Sequence, residues 1–121
     1  MEDRQTPMSA VTERRGARQA QELAELQEKA AEAARLLRML GNENRLLLLC
    51  HLMAEGEMGV GALAETLGLS QPALSQHLAM LREDGLVATR RVAQAVFYRV
   101  ADPKVGRVLQ VLRDIYCPQL R

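Results

Sequence analysis

Two thiols, Cys50 and Cys117, and two imidazoles, His51 and His77, are the groups in this sequence best suited to nucleophilic or soft-metal chemistry. A thiolate attacks electrophiles, ligates soft metals and closes sulfur bridges. No Cys-x-x-Cys occurs, no obvious general base is paired with either thiol, and no long loop is available as a lid, so a thiol-dependent reductase fits poorly. With only two His, four protein ligands for a closed zinc site are hard to assemble, and no metal or cofactor is implied. A second set consists of hydrogen-bonding residues: Ser70, Gln71, Ser75, Gln76 and His77, followed by Arg90, Arg91 and Gln94. Short amide and hydroxyl side chains reach base edges, and guanidinium groups reach phosphates. The bland alternative for the first five is a solvated helix face, where long charged side chains are the usual choice. His77, beside the apolar Leu78, packs within a helix pair or meets a phosphate.

Those residues need elements to position them. Leu23, Leu26, Ala30, Ala33, Leu37 and Leu40 recur at steps of three and four, a narrow seam suited to a partner helix, in a helix starting at about Ala17. Gly41 ends it and Asn42 caps a second helix, whose Leu46, Leu47, Leu49, Cys50 and Met53 read as a broad buried face. On that face Cys50, flanked by leucines, reads as a buried thiol. A short third helix over 59 to 67 closes on Gly68, and Ser70 caps a fourth with Pro72 in its first turn. Leu74, Leu78 and Leu81 anchor that helix, which turns Gln71, Ser75, Gln76, Ala79 and Arg82 outward. After Gly85 the period becomes two, through Leu86 to Arg90 and Val96 to Val100, which predicts a hairpin turning near Ala93 and Gln94. Asp102 and Pro103 open a last helix with Val105, Val108, Leu109, Leu112, Ile115 and Tyr116 on its apolar face, ended by Pro118. Arg113, one turn before Cys117, favours a thiolate there, and the negative end of the helix dipole opposes it.

The fold class expected is mainly α with a small β-hairpin: a winged helix-turn-helix spanning roughly 59 to 101, in the order four helices, hairpin, helix. Residues 1 to 17 are expected to form a flexible tail, and 18 to 121 one DNA-binding and dimerisation domain. Aromatics are only 2% of the residues, so the core must be aliphatic. Net charge is +1, but 85 to 121 hold seven basic side chains against Asp102 and Asp114, while 41 to 69 hold four Glu against Arg45. Positive charge is thus localised beside the hairpin, as phosphate binding needs. No 18-residue apolar run or signal-peptide core is present, which suggests a cytoplasmic protein with reduced thiols and no membrane partner.

The segment Leu36 to Cys117 resembles the ArsR family of dimeric winged-helix repressors. The run Leu69-Ser70-Gln71-Pro72-Ala73-Leu74-Ser75-Gln76-His77-Leu78, then Leu81, Gly85, Leu86, Val87 and Arg91, matches that family's recognition helix and wing. Within it the chain is similar to the sulfide- and persulfide-sensing BigR/SqrR type, through Leu49-Cys50-His51-Leu52 and Ile115-Tyr116-Cys117. The thiolate pair of arsenic-sensing members is missing, since Gly59 and Gly61 stand there, and residues 103 to 121 lack the His and Glu of zinc-sensing ones.

The resemblance implies a homodimer that binds operator DNA and is released when reactive sulfur species or oxidants link Cys50 to Cys117 by a disulfide or polysulfide. Its dimer seam would use Leu23, Leu26 and Leu37 of the first helix and Val108, Leu112 and Ile115 of the last. The alternative is a metal- or metalloid-responsive repressor using the two thiols with a third ligand.

Overall fold

The computed structural model describes residues 8 to 120, with side-chain surroundings from 13 to 119. The elements run α1 (Met8–Leu40), α2 (Glu43–Glu55), β1 (Met58–Gly59), α3 (Val60–Leu67), α4 (Gln71–Glu83), β2 (Val87–Val92), β3 (Ala95–Val100) and α5 (Pro103–Tyr116), then a 3-10 turn, Pro118–Leu120. The chain divides into two compact units, one ending at Arg38 and one starting at Met39.

The first unit is helical from Met8, nine residues ahead of the start read from the apolar seam. Ala, Arg, Gln and Glu are strong helix formers, and helix propensity does not require the apolar face on which the later start was based. The remaining residues of the expected tail, 1 to 7, lie outside the described part. From Glu13 to Arg38 every side chain is exposed except the half-buried Leu36.

In the second unit Asn42 caps α2, its Oδ1 accepting from the Arg45 N–H at 3.1 Å. The buried face of α2 is Leu48, Leu49 and Leu52; Leu47, Cys50 and Met53, expected inside, are exposed. Four consecutive leucines, Leu46 to Leu49, satisfy more than one helical phase, and packing against α3 and β3 chooses between them. The centre of the core is Leu48, Leu49, Leu52, Leu63, Leu74, Leu78, Leu81 and Val105. Each of these fully buried side chains stabilises the fold by roughly 1.5–3 kcal/mol.

The wing is a three-stranded antiparallel sheet, order β1-β3-β2, rather than a lone hairpin. The added strand β1 places Met58 opposite Tyr98 and Gly59 opposite Phe97. Two residues are too few to show alternation in sequence. β2 and β3 pair from Val87↔Val100 to Val92↔Ala95, leaving Ala93 and Gln94 as the turn, with Ala93 at φ +54°.

Candidate functional site

The link between α3 and α4 is specified by local chemistry. Gly68 takes the left-handed conformation, φ +68°, that lets the end of α3 satisfy its carbonyls. The Leu69 N–H donates to Ala64 O at 3.0 Å and the Gly68 N–H to Glu65 O at 3.3 Å. Ser70 then starts α4, its Oγ accepting from the Ala73 N–H at 3.2 Å. The same closure ends α4, where Gly85 at φ +77° lets the Leu86 N–H donate to Leu81 O at 2.9 Å. With Leu74, Leu78 and Leu81 fully buried, Gln71, Ser75 and Gln76 stand exposed on the opposite side. Ser70 is exposed too, but its hydroxyl already serves the cap. His77 is half-buried, and its Nδ1 is shielded from solvent with no hydrogen-bond partner among the described residues.

Strand register separates the two wing arginines. Directly opposed residues of an antiparallel pair share a face and successive residues alternate. Thr89, Arg91, Val96 and Tyr98 therefore lie on one face, and Arg90, Phe97 and Arg99 on the other. Tyr98 opens onto a cleft of about 560 Å³ with Ser75, Ala79 and Arg82 of α4, so its face is the one turned to α4. Arg91 is exposed on that face, with no ion pair among the described residues, and Gln94 is exposed at the turn. Arg90 is instead held by Glu57, its Nε and Nη2 donating to the two carboxylate oxygens at 2.9 and 2.6 Å. Its guanidinium also lies 5.5 Å from the centre of the Phe97 ring. The hydrogen bond from Arg90 is the main cause that lowers the Glu57 pKa. Sequence reading missed Tyr98: alternation groups it with Arg91, but only the packed sheet shows that this face meets α4.

The two thiols line a single cleft of about 780 Å³ between α2 and α5. Apolar side chains such as Leu46, Met53, Leu109 and Leu112 form most of its wall, and among the described residues Arg113 is the charged one that lines it. Cys50 is exposed and Cys117 half-buried, so neither is an inert core thiol. Partial burial pushes the Cys50 thiol pKa up; the Arg113 charge pulls it down and the nearby Cys117 thiol raises it further. Arg113 therefore acts on Cys50 across the cleft, a pairing that sequence spacing did not show. Cys117 closes α5, its N–H donating to Arg113 O at 2.8 Å. On α5, Gly106 leaves space for Met53 of α2, since a Cβ there would meet Met53 Cε at 3.1 Å.

Both long terminal helices carry exposed apolar residues. Leu23, Leu26 and Leu37 are about 60% exposed on α1, and Ile115 is 62% exposed on α5, where Val108 and Leu112 are half-buried. Among the described residues no three His, Cys, Asp or Glu are grouped to hold a metal ion, and no helix is long and apolar enough to cross a membrane.

Residues 42–89 match the family model described as bacterial regulatory protein, arsR family. The chain is 47% identical over 95 residues to the transcriptional activator HlyU of Vibrio cholerae, covering 78% of this chain and 87% of that one. It is 42% identical over 95 residues to the biofilm growth-associated repressor of Xylella fastidiosa, covering 78% of this chain and 82% of that one. The crystal structure of the transcriptional repressor BigR from Xylella fastidiosa superposes with a TM-score of 0.72 at 41% identity, covering 78% of this chain and 95% of that one.

Proposed function

The chain belongs to the arsR family of bacterial regulatory proteins, and from that premise we propose that it is a homodimeric repressor whose grip on operator DNA is set by the sulfur chemistry of Cys50 and Cys117. Reduced, it holds the operator; linked through the two thiols, it lets go. The observation that carries this is the shared cleft: thiols on α2 and at the end of α5 line one cavity, and Cys117 is close enough to act electrostatically on Cys50.

In this reading α4 enters the major groove. Gln71, Ser75 and Gln76 read base edges, while Arg91, Gln94 and Tyr98 contact the backbone beside them. A two-fold dimer then reads an inverted repeat, with half-sites about one helical turn, roughly 34 Å, apart. Its seam is formed by the exposed Leu23, Leu26 and Leu37 of α1 and by Val108, Leu112 and Ile115 of α5. Light scattering should give twice the chain mass, and a monomer at micromolar concentration would refute the seam.

Closing a disulfide transfers two electrons from the thiols to the oxidant and releases two protons. With a persulfide donor, one sulfane sulfur is inserted into the bridge and another, reduced to sulfide, accepts the electrons. A direct disulfide needs Cα atoms within about 7 Å, a limit that a longer sulfur bridge relaxes. The bridge ties α2 to α5 and biases the orientation of the two DNA-reading heads.

The test combines intact mass spectrometry with operator mobility shifts. Persulfide should add sulfur between Cys50 and Cys117 within one chain and weaken binding, and reductant should reverse both. Cys50→Ser or Cys117→Ser alone should leave reduced binding near normal and abolish the response. Release of DNA by the doubly substituted chain, or a bridge without loss of affinity, would refute the mechanism.

A further inference from the structure

We infer that Glu57 restrains sequence-independent DNA binding by holding Arg90 neutralised on the sheet face turned away from the recognition helix. This rests on the operator-binding reading above and adds to it a residue outside the recognition helix and hairpin.

Two independent features support it. The first is geometric: register puts Arg90 with Phe97 and Arg99, opposite the face that Arg91 shares with Tyr98, which opens onto the α4 side. The second is electrostatic. Both Glu57 oxygens accept from one guanidinium, Phe97 lies under it, and Arg99 adds its charge at the same carboxylate. The Glu57–Arg90 pair as a whole carries no net charge, so it offers no cation to exchange for counterions on DNA, and counterion release supplies nearly all of non-specific affinity. Glu57 immediately precedes β1, so the strand invisible in the sequence delivers this carboxylate to the wing. In the specific complex, α4 in the groove fixes the sheet so that Arg90 faces away. A loosely bound chain is free to turn, and an unpaired Arg90 would then add a phosphate contact on any sequence.

The test uses the full chain and a random-sequence duplex of about 30 base pairs, long enough for two half-sites one turn apart, with affinity measured across a salt series. Glu57→Gln should tighten binding and steepen the slope of log affinity against log salt by about one. Lowering salt fourfold should therefore raise the variant-to-native affinity ratio about 3.5-fold. Arg90→Ala in the native chain should leave the slope unchanged, and added to Glu57→Gln it should abolish the gain. An unchanged slope for Glu57→Gln, or a slope flattened by Arg90→Ala as much as by Arg91→Ala, would overturn the role of Glu57 while leaving operator binding intact. A native chain that binds neither this duplex nor any duplex selected from a random pool would refute operator binding itself, and this inference with it.

Discussion

On α4 the three inward leucines, Leu74, Leu78 and Leu81, are fully buried, and the helix is closed by a serine cap at one end and a left-handed glycine at the other. On α5 only Val105 and Leu109 are buried, while Val111, Ile115 and Tyr116 remain 54%, 62% and 75% exposed. A cleft of about 780 Å³ separates that helix from α2. The first region is closely packed, as the proposed reading of DNA by fixed geometry needs. The second keeps open volume, as the proposed sulfur bridge needs in order to move one helix against another.

The largest expected effect would break this contrast most directly. Leu78→Ala should cost about 2–5 kcal/mol, because a close-packed site relaxes only partly around the cavity left behind. Met53→Ala, on the cleft wall and 46% exposed, should cost distinctly less. Urea midpoints compare the two, and equal losses would mean that the cleft is as tightly packed as the reader.

Next in size are the contacts of the reader itself. Gln71→Ala should lose about 1–3 kcal/mol of operator binding with little change on random DNA. Arg91→Ala should weaken both and reduce the salt slope by about one. Proportional losses on both duplexes from both variants would show that the base-reading face is misplaced.

A smaller effect is expected at the wing turn. Ala93 has φ +54°, a conformation that costs a residue with a Cβ about 1–2 kcal/mol, part of which glycine forfeits as chain entropy. Ala93→Gly should therefore raise stability by up to about 1 kcal/mol in a thermal melt. A loss would show that the turn gains its rigidity from alanine.

The smallest expected effect lies in the cleft. Cys50→Ser should change neutral-pH stability by less than about 0.5 kcal/mol, since the thiol is exposed. Its pKa is raised, chiefly by burial, so the fold favours the protonated thiol. That contribution is present below the ordinary thiol range and is lost as pH rises through the raised value. Unfolding from about pH 7 to about pH 10 should show an alkaline loss that Cys50→Ser removes. Alkylation of Cys50 should keep accelerating after glutathione has levelled off. A Cys50 rate that saturates before that of glutathione would contradict the raised pKa.

These contrasts also account for what was legible beforehand. The caps, the left-handed Gly68, the Leu74, Leu78 and Leu81 stripe and the hairpin alternation are local: each is written within a few consecutive residues, and the structure keeps them. The phase of α2 was misread because four successive leucines leave the face undetermined until α3 and β3 pack against it. β1 was missed because two residues carry no period, and with it went the pairing of Glu57 with Arg90.

By itself, the sequence determined the order of the helices, the recognition helix with its outward Gln71, Ser75 and Gln76, and the presence of two thiols on separate elements. These depend on short-range hydrogen bonding, backbone conformation and apolar spacing, which neighbouring residues alone specify. Only the tertiary structure decided that Cys50 and Cys117 line one cleft, that Arg113 acts on Cys50, and that Arg90 and Arg91 face opposite ways with different partners. Each of these joins residues on separate elements, and their meeting depends on how the elements pack and on strand register.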